Sequence, residues 1–171
     1  AESWLEQEAP LHPRLKQIYA GRGIRQMAQL QHSTKALLHY QQLSGIEQAV
    51  SVLTSALQQD RKLVIIGDFD ADGATSTALC MLALKQMGAT QVDYLVPNRF
   101  DFGYGLSPQI VDMAYQQGAE LLITVDNGIA CLAGARRARE LGMQLLITDH
   151  HLPGSELPPA DAIVNPNLTA C

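Results

Sequence analysis

Three aspartates follow one another at alternate positions in the stretch IIGDFDADGATS, residues 65–76. They are Asp68, Asp70 and Asp72, and they come directly after an apolar run. Because alternate side chains of an extended chain point the same way, the three carboxylates can face one point. Like charges so close together repel unless a cation lies between them, and Mg²⁺ and Mn²⁺ prefer carboxylate oxygens as ligands. The alternative is a solvated acidic turn in which Asp72 caps the following helix.

Two further runs carry residues that bind metals or move protons. Asp126 lies in TVDNG, where a simple turn is the alternative to a ligand role. TDHHLPG holds Asp149 followed by His150 and His151. Neutral imidazole is a common metal ligand, and its second nitrogen needs a carboxylate or carbonyl partner. Packing does not easily explain two adjacent histidines after an aspartate, so this run favours a chemical role.

The elements that must position these residues alternate from residue 62 onward. The apolar runs of strand type are KLVIIG, QVDYLVP, ELLITV, MQLLIT and DAIVN, and helical segments separate the first four of them. Such near-continuous apolar strands are typical of a parallel sheet covered on both faces. We therefore predict an α/β fold, with a parallel Rossmann-like sheet and helices on both faces.

Polar residues stand where these predicted strands end. Asp68 follows the first strand, Asp126 the third and Asp149 the fourth, while Asn165 ends the fifth. The carboxyl ends of parallel strands share one edge, and ligands of open α/β sheets bind there. We expect four separate segments to converge at that edge.

The residues before the sheet, 1–60, are expected to form a helical N-terminal segment, and residues 61–171 the α/β domain. SGIEQAVSVLTSALQQD spaces its apolar residues at helical intervals, with Ser44 as the predicted N-cap and Glu47 completing a capping box. The chain lacks an initiator Met, so we expect a trimmed or engineered N-terminus.

Composition narrows the class of protein. The 171 residues are 47% hydrophobic and 17% charged, which is typical of a globular domain. The net charge of −5 arises after residue 60, where twelve acids face seven bases. This balance disfavours a simple DNA-binding module but not a metal-dependent nuclease. With no apolar window of membrane-spanning length, no secretory signal and three scattered cysteines, we expect a cytoplasmic protein.

Four motifs in this order resemble those of the DHH phosphoesterase family: DFDADG, VDNG, DHH and, at 165–167, NPN. YLVPNRFDFGYGLSP and TDHHLPG are similar to its bacterial branch of single-stranded-DNA-specific 5′→3′ exonucleases. Other branches begin the first motif with His, where Asp68 stands here. The resemblance implies metal-dependent phosphodiester hydrolysis in DNA repair and recombination.

The resemblance also implies a role for each site residue, with two Mn²⁺ or Mg²⁺ ions in the complete enzyme. The expected metal ligands are Asp70, Asp72, Asp126 and His150, of which Asp126 bridges the ions. Asp68 supplies a ligand or supports one, and Asp149 orients the histidines. His151 contacts the scissile phosphate or serves as the acid.

Candidate substrate contacts are Arg99, Tyr104, Thr75 and Ser76. Arg99 is expected to hold a phosphate and Tyr104 to stack on a base, unless this segment is a glycine-rich turn with Arg99 paired to Asp101. Thr75 and Ser76 open a helix whose N–H groups favour anions, or are ordinary first-turn residues. The basic cluster at 136–139 is a DNA-backbone patch or, as we favour, a solvated helix face.

Single-stranded DNA is the expected partner, with a single-strand-binding protein and a recombination helicase as the protein partners that the resemblance implies. The family has a further metal-ligand Asp and a second, substrate-binding domain, neither of which is found before Cys171. We therefore expect a fragment that binds metal weakly and degrades DNA poorly by itself. Two alternatives stay open: a phosphodiesterase for short oligonucleotides or cyclic dinucleotides, and a non-catalytic DHH-like module of a replication complex.

Overall fold

The computed structural model describes residues 11–31, 33–98 and 103–168. These residues fall into two units, one that ends at His39 and one that begins at Tyr40. The domain boundary that the sequence predicts after residue 60 stays a prediction.

The first unit is helical in its described part. Helix α1 spans Pro13–Gly21 and begins with proline, whose fixed φ suits the first helical position. The His12 side chain caps it, since His12 Nδ1 accepts the N–H of Arg14 at 3.3 Å. Two short 3₁₀ helices follow, at Met27–Leu30 and Thr34–Ala36.

The second unit contains the predicted parallel sheet, and the α/β fold class is confirmed. Its strands are β1 Leu63–Ile66, β2 Val92–Leu95, β3 Leu121–Val125, β4 Gln144–Thr148 and β5 Ala162–Val164. All pairs are parallel, in the order β2-β1-β3-β4-β5. Asp126 and Asp149 extend the ladder one step further, because their N–H groups donate to Thr148 and Val164 carbonyls, each at 3.1 Å.

Helices cover both faces of this sheet. They are α2 Ile46–Gln58, α3 Ala71–Gln86, α4 Pro108–Gln116 and α5 Leu132–Glu140. Alternate strand residues face opposite sides, so Val64 and Ile66 pack with α4 and α5, whereas Leu63 and Ile65 pack with α2 and α3. In the described part of the chain, no helix is both long enough and apolar enough to cross a bilayer.

The start of α2 differs from its prediction. Gly45, not Ser44, is the N-cap, in a left-handed conformation with φ 77°. A Cβ at Gly45 would collide with the Ile163 carbonyl of β5. This close approach to the sheet requires glycine and overrides the local capping-box signal.

Candidate metal centre

The DFDADG segment leaves β1 and enters α3 within four residues. Asp68 is buried, at 3% exposure, and its Oδ1 accepts the N–H of Phe69 at 2.8 Å. Asp70 is the N-cap of α3, because its Oδ1 accepts the N–H of Gly73 at 3.0 Å. The alternative that placed the cap at Asp72 is therefore wrong by two residues.

Two groups of metal-ligand type, found among the described residues, meet at the carboxyl edge of the sheet. Within each group, one potential ligand atom per residue lies within 4.8 Å of the others. The first group is Asp68, Asp70 and Asp126, and the second is Asp126, His150 and His151. Asp126 belongs to both, so it stands between the aspartates of one strand end and the histidines of another.

Asp126 occupies an unusual backbone position. Its φ is 63°, a left-handed conformation that non-glycine residues adopt rarely, although Asp tolerates it better than most. Its side chain is only 8% exposed, and its Oδ1 lies 2.9 Å from His150 Nε2. Burial and the charge of Asp70 raise the pKa of the Asp126 carboxyl, against the lowering effect of the His150 bond.

Asp149 lies behind the histidines and outside both groups. Its Oδ1 accepts the N–H groups of His150 and His151 and lies 2.7 Å from His151 Nδ1, while Oδ2 accepts the N–H of Ile129. Burial alone would raise its pKa, but these hydrogen bonds outweigh burial and hold the pKa of Asp149 below its usual range. The contact between Asp149 Oδ1 and His151 Nδ1 raises the pKa of the His151 imidazole.

Asp72, Thr75 and Ser76 lie on the first turns of α3. Asp72 is exposed and belongs to neither group, but it lines a shallow cleft of about 340 Å³ together with Ser76, Asp126 and His150. The hydroxyls of Thr75 and Ser76 donate to the carbonyls of Ala71 and Asp72, each at 2.7 Å. Both hydroxyls therefore donate their hydrogen bonds to backbone carbonyls of the same helix.

Tyr104 lies beside the centre. Its hydroxyl donates to the Asp126 carbonyl at 3.2 Å, and its ring stands edge-on to the His151 ring, with centroids 6.1 Å apart. The residue as a whole is 44% exposed. Arg99 falls outside the described residues.

The basic cluster at 136–139 makes ion pairs on the surface of α5. Arg136 pairs with Glu156 at 2.9 Å, and Arg137 pairs with Asp112 at 2.8 Å. Arg139 lines a cavity with Gln144, at the amino end of β4 and thus at the sheet edge opposite the aspartates.

Sequence reasoning missed Asn127, which is fully buried. Its Nδ2 donates to the carbonyls of Ile66 and Val125 at 3.0 and 2.9 Å, so it links the ends of β1 and β3. This link sets the spacing between the first motif and Asp126. The only sequence signal was its place directly after Asp126.

The donor set suits a divalent cation. Carboxylate oxygens dominate, imidazole nitrogens complete the set, and neither group contains a thiolate. Such a set fits Mn²⁺ or Mg²⁺ better than structural Zn²⁺. Three carboxylates so close together repel one another, and a bound cation would offset this repulsion.

Comparisons with known proteins find similar chains among exonucleases. Single-stranded-DNA-specific exonuclease RecJ of Escherichia coli is 54% identical over 163 residues, which cover 95% of this chain and 28% of that protein. RecJ of Bacillus subtilis is 43% identical over 130 residues, which cover 76% of this chain and 16% of that protein. The chain thus spans less than a third of these relatives.

Solved structures show the same likeness. A crystal structure of exonuclease RecJ bound to manganese aligns with a TM-score of 0.68 and 38% identity, over 74% of this chain and 32% of that one. RecJ of Thermus thermophilus in complex with Mn²⁺ aligns with a TM-score of 0.65 and 31% identity, over 95% of this chain and 22% of that one. The family model described as "DHH family, N-terminal domain" matches residues 62–171. The chain therefore belongs to the DHH family.

Proposed function

We propose that this chain carries the metal centre of a single-stranded-DNA-specific 5′→3′ exonuclease that acts in the bacterial cytoplasm in DNA repair and recombination. One observation carries the proposal: acids and histidines from three strand ends meet around Asp126. The similarity to RecJ exonucleases, two of them solved with manganese, supports the substrate class and the metal.

Mn²⁺ or Mg²⁺ is the proposed cofactor, and Asp126 is the proposed bridging ligand because both groups share it. The other proposed ligands are Asp68, Asp70, Asp72 and His150. When bound, two divalent ions activate a water and stabilise the charge that develops on the phosphate. Asp72, which lines the cleft with Asp126 and His150, is the proposed ligand from the first turn of α3.

His151 is the proposed contact to the scissile phosphate or the acid for the leaving group. Its Nδ1 is held by Asp149, so Nε2 is the nitrogen that can face the substrate. Because the Asp149 contact raises the pKa of His151, more of the imidazole carries a proton near neutral pH. A hydrogen bond donated from Nε2 can then reach a phosphate oxygen or the departing 3′ oxygen.

Single-stranded DNA is the proposed substrate, and the half-exposed ring of Tyr104 is the proposed base-stacking surface. Arg99 remains a proposed phosphate contact on sequence grounds, and Thr75 and Ser76 remain proposed anion contacts at the start of α3. A single-strand-binding protein and a recombination helicase are the proposed protein partners.

A digestion panel tests the proposal. Purified protein, stripped of metal with EDTA and supplied with Mn²⁺, is incubated with 5′-phosphorylated single strands, duplexes and dinucleotides. We expect mononucleotides to be released slowly from single strands, and Asp126→Asn to lower the rate at least about a hundredfold, because even the outer partners of metal ligands affect activity by about 10- to 100-fold. Hydrolysis of dinucleotides in preference to strands would point to a small phosphodiesterase instead, and full activity in Asp126→Asn would refute the site.

A further inference from the structure

The fourth motif, Asn165-Pro166-Asn167, follows β5 and has no role in the function proposed above. Its two side-chain amides nevertheless reach the histidines. Asn165 Nδ2 donates to the backbone carbonyl of His151 at 2.9 Å, and Asn167 Nδ2 donates to the carbonyl of His150. The N–H of Asn167 donates to Asn165 Oδ1 at 2.8 Å, which ties the two asparagines together.

Asp149 holds the same dipeptide from its other side. Its Oδ1 accepts the N–H of His150 at 2.7 Å and the N–H of His151 at 3.1 Å. All four backbone polar groups of the histidine pair are therefore bonded to side chains outside the pair. Asp149, at the end of β4, accepts two of these four hydrogen bonds, and the two asparagines after β5 donate the other two.

The histidine rings need this support because solvent surrounds much of them. The side chains of His150 and His151 are 60% and 50% exposed. Exposed side chains lack the packing contacts that restrict rotamers in a core. Each ring has one carboxylate partner, Asp126 for His150 and Asp149 for His151. These contacts fix the rings only if the backbone beneath them is itself fixed.

We propose that Asn165 and Asn167 are positioning residues, which clamp the backbone of His150 and His151 so that each ring meets its carboxylate. The two asparagines differ in burial, since Asn165 is fully buried and Asn167 is exposed. Asn165 therefore supports the fold as well as the clamp, whereas truncation of Asn167 removes little more than its donor. The clamp depends on the proposed function in one respect only, which is that His150 binds metal and His151 contacts the phosphate.

The first test needs no metal. Long-range ¹H–¹⁵N spectra of ¹⁵N-histidine-labelled protein report the tautomer and hydrogen bonding of each ring. We expect Asn167→Ala to change the ring shifts of His150 and His151, and Asn167→Gln, which keeps an amide donor on an exposed side chain, to restore them in part. Asn165→Ala should change them further, and urea unfolding checks that it remains folded.

Gln48→Ala is the matched control. Gln48 Nε2 donates to the carbonyl of Asp161 at 2.6 Å, so this variant also deletes an amide-to-carbonyl bond next to β5, but at the other end of the strand. It should leave both rings unchanged. The clamp would be overturned if the ¹⁵N chemical shifts of both histidine rings were the same in Asn167→Ala and Asn165→Ala as in Gln48→Ala.

The second test measures Mn²⁺ binding by calorimetry. Partners that orient metal ligands typically affect affinity by about 10- to 100-fold, so we expect about tenfold weaker binding in Asn167→Ala and near wild-type binding in Asn167→Gln. Unchanged affinity in both asparagine-to-alanine variants would count against the clamp. If wild-type protein binds no Mn²⁺ while the ring shifts still move, the proposed metal function fails and the clamp stands.

Discussion

At the scale of single residues, the pKa values of two nearby buried carboxyls, Asp149 and Asp126, are shifted in opposite directions. The Asp149 side chain is 1% exposed, yet three backbone N–H groups and the His151 ring hold its pKa below the usual range. Asp126 is nearly as buried, but burial and the Asp70 charge raise its pKa. Asp149 already has its donors within the protein, whereas an added cation would stabilise Asp126 as a carboxylate. This contrast favours Asp149 as a positioning residue and Asp126 as a ligand.

Asp149→Asn should destabilise the protein strongly. The amide keeps the shape of the carboxylate but removes the charge and places an NH₂ group against N–H donors. We expect the free energy of unfolding in urea to fall by about 2–4 kcal/mol. Asp112→Asn is the control, because its ion pair with Arg137 lies at the solvated surface, where such pairs contribute little to stability. Equal small losses in both variants would contradict the role of Asp149.

At the scale of elements, the junction of β1 and α3 places the first motif. The strand ends at Ile66 and the helix begins at Ala71, so the turn between them is short. Gly73, in the first turn of α3, is buried against the backbone of Asp68. A Cβ at Gly73 would collide with both the carbonyl and the Cβ of Asp68. Glycine therefore allows the helix to start close enough for Asp68 and Asp70 to reach Asp126.

Gly73→Ala should move the Asp68 segment and weaken the fold. The added methyl group must displace backbone rather than a flexible side chain, so we expect a loss of about 1–3 kcal/mol in the free energy of unfolding. Mn²⁺ affinity, measured by calorimetry, should fall in the same variant. Gly154→Ala is the matched control, since its Cβ would meet only the Glu156 carbonyl, at 3.8 Å. If Gly73→Ala and Gly154→Ala had the same free energy of unfolding, the junction of β1 and α3 would tolerate a Cβ at position 73, and the role given to this glycine would be wrong.

At the scale of the whole molecule, the negative charge is concentrated in the part that forms the sheet. Residues after 60 hold twelve acids and seven bases, and three of those acids share one site. Bound divalent cations would offset this excess and remove repulsion between the carboxylates. Metal should therefore stabilise the fold as well as supply chemistry.

Adding Mn²⁺ should raise the melting temperature in proportion to the logarithm of its concentration above Kd. The increase should shrink on acidification, because the raised pKa of Asp126 lets protons compete for the carboxylate from a higher pH than usual. Differential scanning fluorimetry in EDTA and in a Mn²⁺ series, from pH 5 to pH 8, measures both effects. Asp126→Ala should lose the increase, whereas Asp112→Asn should keep it. A Mn²⁺ response that survives in Asp126→Ala would place the ion elsewhere.

The amino-acid sequence by itself determined the layout of this protein. Apolar runs separated by helical segments predicted the parallel sheet, and the polar residues at their ends predicted the edge where Asp68, Asp126 and Asp149 meet. These signals are local, because strand periodicity and buried runs depend on residues that are near one another in the chain. The parallel topology then brings their ends together without further information.

Only the tertiary structure decided which neighbours these residues have. Asp70 rather than Asp72 caps α3, Gly45 rather than Ser44 caps α2, and Asn127 links two strand ends. The sharing of Asp126 between two ligand groups and the hold of Asn165 on His151 also appear only in the fold. All but the Asp70 cap, which is a bond to a residue three positions along the chain, depend on the register between segments that are far apart in sequence, and the Gly45 cap also depends on a backbone approach closer than a Cβ allows. Such distances follow from packing of the whole sheet rather than from any local pattern.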